Sequence, residues 1–167
     1  MPSIAAYAGQ AVFYAAIAAA IGYFAADPVY RQVPEGMAQI KLSFNHAGQR
    51  VEDCRKLTYE ELSKLPTAKR RPLDCVRERV PVTVELLIDG KPMYASVLKP
   101  TGLSSDGPSK AYEKFLVPAG HHVIEAHLRD TRRDEGFDFE SRHEADLAPW
   151  QSLAIDFKAE QGGFLFR

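Results

Sequence analysis

The stretch VPVTVELLIDGKPMYASVLKP, residues 80–100, places two β-strand patterns on either side of an Asp-Gly pair. Valine, leucine or isoleucine occupies every second position from Val80 to Ile88, which puts these side chains on one face of an extended strand. Asp89-Gly90 is a strong signal for a tight hairpin turn, because both positions accept positive φ angles. The stretch therefore predicts a β-hairpin with one buried face.

Further strand patterns extend outward from this hairpin in both directions. MAQIKLSFNH, residues 37–46, alternates apolar and polar side chains in the same way. Short strands separated by Gly, Ser and Pro predict an antiparallel β-sandwich over residues 37–167, because no strand–helix alternation favours a parallel sheet. The strands after the hairpin are expected at 112–118, 121–130, 137–147, 152–160 and 163–167.

The strand region resembles a known class of envelope domain. VELLIDGKPMY, FLVPAGHHVIEAHLRD and DLAPWQSLAIDF, within residues 80–160, are similar to the Ig-like, PEGA-type modules of bacterial envelope proteins. In those modules a strand ends in Asp-Gly and a Gly-containing turn begins a long strand that closes with an aspartate. The resemblance implies an Ig-like sandwich that serves scaffolding or binding, and it is an analogy at the level of the fold.

Residues 54–75, CRKLTYEELSKLPTAKRRPLDC, interrupt the strand pattern and form what we call the excursion. Thr58 and Glu61 have the spacing of a capping box, and Pro66 ends the short helix that it begins. Cys54 and Cys75 bracket the excursion and predict one disulfide if the domain lies in an oxidising compartment. Two unrelated thiols in a reducing compartment are the alternative.

The chain begins with AAYAGQAVFYAAIAAAIGYFAADP, residues 5–28, which contains no charge before Asp27. Residues 1–27 are long enough to cross the hydrocarbon core of a bilayer as a helix, and the Pro- and Gly-containing residues 28–36 are expected to form a linker. A cleaved secretory signal is the alternative, but the positive n-region is missing. A cut after Ala26 would place Phe24 at the −3 position, and a cut after Ala20, although possible, would leave an apolar new terminus. We therefore expect a retained transmembrane helix.

Small and bulky side chains are segregated within this helix. Alanine and glycine residues three and four positions apart form one face of the helix, which we call the small-residue face. Bulky Tyr and Ile side chains form a separate face. Small side chains let helix backbones approach closely, so this face predicts packing against other integral membrane subunits within the lipid bilayer. A plain Ala-rich anchor is the alternative. The small-residue face consists of Ala8, Ala11, Ala15, Ala18 and Gly22.

The orientation in the membrane follows from weaker signals. Arg31 and Lys41 after the helix favour a cytoplasmic body, because positive charge is enriched on that side. A disulfide and an all-β domain favour the opposite arrangement, with the N-terminus inside. We expect a single-pass protein of the bacterial inner membrane whose C-terminal domain is periplasmic.

Composition narrows the classes of function. Lys and Arg number 21 against 22 Asp and Glu, so no net positive field favours binding to nucleic acid. The sequence contains no nucleophile elbow, phosphate loop, Cys-x-x-Cys or haem-attachment motif. We therefore expect no catalytic residue, no enzyme activity and no cofactor.

Two features are candidate contacts for a partner. Arg70 and Arg71 belong to a basic cluster that could meet an acidic partner or anionic lipid, although such runs are usually only solvated. Trp150 follows a proline in a turn, where an exposed indole would contact a partner or a sugar.

Histidines offer a metal-binding alternative. His121 and His127 lie six residues apart on one expected strand and therefore share a face, which His143 from a neighbouring strand could meet to bind copper or zinc. Exposed histidines on the solvent side of a sheet are the alternative, and we expect no metal site.

These observations predict a non-catalytic accessory or assembly subunit of a larger inner-membrane complex, with a respiratory or electron-transfer complex as the natural candidate. Two other functions remain open. One is a tethered module that binds envelope glycan or peptide, and the other is delivery of copper to an oxidase.

Overall fold

The computed structural model describes residues 3–26 and 32–167, so the expected linker at 28–36 and the end of the 1–27 segment lie partly outside the described residues. The chain divides into two compact units after Pro34. We call residues 35–167 the β-domain.

The first unit contains helix α1 (Ile4–Ala26). Alanine has the highest helix propensity, and the Oγ of Ser3 accepts a hydrogen bond from the Ala6 N–H at 3.3 Å at the start of the helix. The helix is 23 residues long and apolar enough to cross a membrane, and no residue in it is buried. Length and composition alone are equally typical of a signal sequence.

Ten strands and one short helix form the β-domain, all of whose residues the structure describes. They are β1 (Met37–His46), β2 (Arg55–Lys56), α2 (Tyr59–Lys64), β3 (Leu73–Asp74), β4 (Val82–Ile88), β5 (Lys91–Leu98), β6 (Ser109–Pro118), β7 (Gly120–Arg129), β8 (Phe139–Leu147), β9 (Ser152–Lys158) and β10 (Gly163–Phe166). One four-stranded sheet has the strand order β10-β9-β1-β6 and the other the order β5-β4-β7-β8. The pair β2–β3 and α2 belong to the excursion, and 3₁₀ turns occur at Thr67–Lys69 and Ala159–Gln161.

Alternation of side chains builds one core between the sheets. In β4 the residues at even positions are buried and those between them are half-exposed, as the sequence pattern predicts. The same alternation holds in β7 and, apart from the buried Gln39, in β1, so both sheets contribute to one hydrophobic cluster. Its fully buried large side chains are Ile40, Leu42, Val82, Val84, Leu86, Ile124, Leu128 and Ile155.

The turn at Asp89-Gly90 has the expected conformation, with φ angles of 52° and 73°. The expectation of a fully antiparallel arrangement is wrong at one pair, because β1 and β9 run parallel. After β8 the chain crosses to the other sheet, where the Trp150 N–H donates to the Met37 carbonyl at 2.7 Å and the Gln39 N–H donates to the Gln151 carbonyl at 2.9 Å. Strand β9 therefore starts beside the start of β1, and the two strands must run in the same direction.

The strand pairings define two ends of the β-domain. The entry end, where β1 begins, also holds the Asp89-Gly90 turn and the β6–β7 and β8–β9 connections. The far end holds the end of β1, the excursion, and the loops at 99–108 and 130–138. His46 Nε2 and the Asp130 carboxylate lie 2.6 Å apart at the far end and join β1 to the 130–138 loop.

Candidate functional site

Two local features hold the excursion at the far end: a disulfide closes its base, and a capping box fixes the start of its short helix. A disulfide joins Cys54 to Cys75, as the sequence predicts, and β2 and β3 pair directly above it. Thr58 caps α2, since its Oγ accepts from the Glu61 N–H while the Glu61 carboxylate accepts from the Thr58 N–H. The helix ends at Lys64, before Pro66. This closure gives a sequence with little apolar content a definite shape.

Arg55 engages two acidic residues inside the excursion. Its guanidinium donates to Glu61 at 2.7 Å and lies 3.6 Å from Asp74. The hydrogen bond from Arg55, with those from the backbone and side chain of Thr58, lowers the pKa of Glu61 to about 2. The hydrogen bond to Glu61 raises the pKa of Arg55. Arg55 therefore offsets one of the two negative charges of Glu61 and Asp74, and the three groups together keep one net negative charge.

Two arginines at the base hold the excursion to the neighbouring loops. Arg77 forms an ion pair with Asp106 of the 99–108 loop. Arg79 donates to the carbonyls of Asp106 at 3.1 Å and Gly48 at 2.8 Å. Gly48 is buried here, and a Cβ at this position would lie 2.4 Å from the Val80 carbonyl oxygen, so no other residue fits without a backbone shift. The base of the excursion is thus part of the far end of the β-domain.

An open groove of about 1060 Å³ runs through the excursion. Five cationic side chains line it, and the only acids in its lining are Glu61 and Asp74, which Arg55 engages. Leu57, Leu65 and Leu73 supply apolar wall between the charges. The five cationic residues are Arg50, Arg55, Lys69, Arg71 and Arg77.

Exposed apolar side chains also occur at the far end, one of them within the groove lining. Tyr59 is 87% exposed on α2, and Leu73 is 46% exposed. Leu103 is fully exposed on the 99–108 loop, whose neck is closed by the Gly107 N–H donating to the Thr101 carbonyl at 2.8 Å. Large exposed apolar residues on a rigid support are typical of surfaces that contact other proteins.

The expected contact residues lie at different ends of the domain. Arg71 lines the groove, whereas Arg70 donates to the Leu65 and Ser63 carbonyls and lines a smaller cavity of about 270 Å³ beside α2. Trp150 lies at the entry end with a φ of 64° and is 46% exposed. It does not line the groove, so one binding surface cannot contain all three residues.

The three histidines considered as metal ligands do not converge. His121 and His127 point outward from β7, as expected, but His143 occupies an inward-facing position on β8 and stacks on Phe166 with ring centroids 4.6 Å apart. Adjacent residues in paired strands share a face, and His143 pairs with the buried Ile124. No group of three metal-ligating side chains occurs within residues 3–26 and 32–167.

His122 has a structural role that no pattern in the sequence indicates. Its ring is buried; Nδ1 lies 2.7 Å from the Asp89 carboxylate and Nε2 lies 2.7 Å from the Pro118 carbonyl oxygen. Both nitrogens therefore face acceptors, which suits a protonated ring. Burial opposes the charge, but the two hydrogen bonds outweigh burial and raise the pKa of His122. The Val123 N–H and His122 hold the pKa of Asp89 below its usual value.

This pair predicts a pH dependence of stability. Since the folded-state pKa of His122 is raised, its contribution is complete below the unfolded pKa of about 6.5 and is lost as pH rises through the folded value. We expect the free energy of unfolding to fall across that range, because deprotonation of the ring removes its charge-assisted hydrogen bond to the Asp89 carboxylate. The Asp89 contribution is lost at the acid end, as pH falls below about 4.

Urea unfolding of the full-length protein between pH 5 and pH 9 measures this dependence. His122→Gln should flatten the neutral-to-basic slope, whereas His127→Gln, half-exposed on the outer face of β7, should leave it unchanged. Equal slopes in the wild-type protein and His122→Gln would contradict the assignment.

Together these observations define a mainly β protein with a membrane-length N-terminal helix and a disulfide-closed, cationic groove at the far end of its β-domain. No protein-family model and no curated protein matches the sequence.

Proposed function

We propose that the protein is a non-catalytic, single-pass accessory or assembly subunit of a larger bacterial inner-membrane complex. The observation that carries the proposal is α1, a 23-residue apolar helix in which every residue is exposed. Such a surface is costly in water and is stable within lipid or against other transmembrane helices. An electron-transfer complex is the first class of complex to test.

The geometry of α1 supports assembly rather than simple anchoring. At 100° per residue the small-residue face falls within an arc of about 80°, with the bulky Tyr and Ile side chains beside it. In lipid, tight van der Waals packing of small residues is a main source of helix association. This face therefore offers neighbouring helices a close approach along the length of the span.

The β-domain is proposed to be an Ig-like sandwich on the periplasmic side. Support for the fold comes from two four-stranded sheets with a common core and from the Asp-Gly hairpin of the modules that the sequence resembles. Support for the compartment comes from the disulfide, because disulfides persist in oxidising compartments.

Substitutions on the small-residue face test the proposal. Ala15→Leu or Gly22→Leu should release the protein from its complex, because a bulky side chain separates the helix backbones. Gently solubilised native membranes are resolved by native electrophoresis, and the position of the protein is read by immunoblotting. We expect at least a tenfold loss of the large species, which corresponds to about 1.4 kcal/mol of association free energy.

Ile17→Leu on the bulky face is the matched control, since it conserves volume outside the proposed contact. If the wild-type protein migrates alone, near its mass of 18.6 kDa plus detergent, the subunit assignment is wrong. If all three variants behave alike, the packing face is wrong.

A tethered module for envelope peptide or glycan is the second candidate, and the groove in the excursion is the observation that favours it. The glycan version depended on Trp150, which lies at the entry end, away from that groove. The copper-delivery alternative loses its basis, because His143 faces away from His121 and His127.

A further inference from the structure

The groove carries an excess of positive charge that the excursion does not neutralise. Arg55 engages both acids of the lining, and Arg77 pairs with Asp106. Arg50 donates to the Val76 carbonyl at 2.6 Å, which satisfies one hydrogen bond but leaves its charge uncompensated. Lys69 and Arg71 also line the groove and are exposed. Arg55 offsets only one of the two negative charges of the lining, so the three cations Arg50, Lys69 and Arg71 face one uncompensated negative charge and the cleft stays net positive.

The apolar wall indicates what kind of anion fits. Leu57 and Leu65 are half-buried and Leu73 is half-exposed, so each presents apolar surface between the cations. A single small anion would leave this surface in water, and the groove, at about 1060 Å³, is far larger than such an ion. A peptide segment that carries both carboxylates and apolar side chains would cover both features.

The groove is also held in shape before any ligand arrives. The disulfide closes its base, the capping box fixes α2 on one side, and Arg77 and Arg79 attach the base to the 99–108 loop. Binding to a preorganised site costs less conformational entropy than binding to a mobile loop. A charged but unconstrained loop would lack this advantage.

We infer that the groove binds an acidic, partly apolar segment of a partner protein. Carboxylates of the segment lie against Arg50, Lys69 and Arg71, and its apolar side chains cover Leu57, Leu65 and Leu73. The inference rests on the proposed function for the existence of a membrane partner, and it adds a second contact outside the bilayer with a stated chemistry.

The test uses the full-length protein in native membranes with a photo-crosslinking amino acid in place of Leu73. Mass spectrometry maps the crosslinked peptide. We expect a partner peptide rich in Asp and Glu, with a yield that falls about tenfold in the Lys69→Glu, Arg71→Glu variant, as like charges replace an attraction. Replacing the mapped acidic residues of the partner with Lys should restore the crosslink to that variant.

Lys110→Glu, Lys114→Glu is the matched control, because both lysines are exposed on β6 and neither lines the groove. This control should crosslink as the wild-type protein does. A crosslink only to anionic lipid, a peptide without acidic residues, or a yield insensitive to charge reversal would each overturn the inference.

The two proposals fail separately. If Gly22→Leu releases the protein from its complex while Leu73 finds no acidic partner, the subunit assignment stands and the groove inference is wrong. If the groove crosslinks to an acidic segment although Gly22→Leu has no effect, the groove binds a partner and the packing face of α1 is wrong.

Discussion

Leu86→Ala is expected to lower the free energy of unfolding of the β-domain by about 3 kcal/mol. Leu86 is fully buried at the centre of β4, between β5 and β7, and its side chain belongs to the core that both sheets share. Truncation removes apolar contacts and leaves a cavity that a close-packed core closes only partly. Urea unfolding, followed by fluorescence of the single tryptophan at the entry end, gives the value.

Val97→Ala on the neighbouring strand β5 is the control. Val97 is 62% exposed and points away from the core, so its truncation should cost less than about 1 kcal/mol. Equal effects of the two substitutions would mean that the alternation in β4 and β5 does not separate core from surface. The assignment of the two sheets to one core would then be wrong.

Replacing both Cys54 and Cys75 with serine is expected to destabilise the closed form of the excursion by about 3 kcal/mol. The disulfide spans 21 residues, and in the chain-entropy model a loop of that size gains this much from closure. The core should survive, because its buried residues lie outside the excursion. Opening without the crosslink should therefore be about a hundredfold more frequent.

Limited trypsin digestion of the full-length protein measures this opening, since Lys64, Lys69 and Arg70 are cleavage sites inside the excursion. The double serine variant should be cut there about a hundredfold faster than the oxidised protein, and reduction of the wild-type protein should reproduce the effect. Cleavage at Lys110 on β6 is the internal control and should not change. If both forms are cut in the excursion at the same rate, the disulfide does not maintain the groove.

Loss of the disulfide also connects stability to binding. Arg50 lies before Cys54, whereas Lys69 and Arg71 lie close to Cys75, so the disulfide brings Arg50 and the other two cations to one groove. In the double serine variant, a photo-crosslinking amino acid at position 73 should therefore no longer capture the partner peptide. This loss is expected although Arg50, Lys69 and Arg71 are all still present. The groove is thus a property of the closed excursion rather than of its basic composition.

Local chemistry explains what could be predicted from the sequence. The two-residue period of β4 marks its buried face, because neighbouring side chains on a strand point to opposite sides. Asp89-Gly90 predicts its turn through positive φ, and Thr58 with Glu61 predicts the start of α2 through hydrogen bonds between residues three apart. The 23-residue apolar helix depends on composition and length, which are also readable from the chain.

Residues far apart in the sequence decided the rest. In sequence His122 looks like an ordinary strand residue, and its role depends on contact with Asp89, 33 positions earlier. His143 faces the core because the strand register places it opposite Ile124. The parallel pairing of β1 with β9 depends on where the chain crosses between sheets. The charge of the groove depends on Arg55 engaging both of its acids. Interactions within a few residues set the strand period, the turns and the caps, so the sequence alone predicts them. Pairing register and charge compensation depend on which distant segments come into contact, so only the tertiary structure determined these two features.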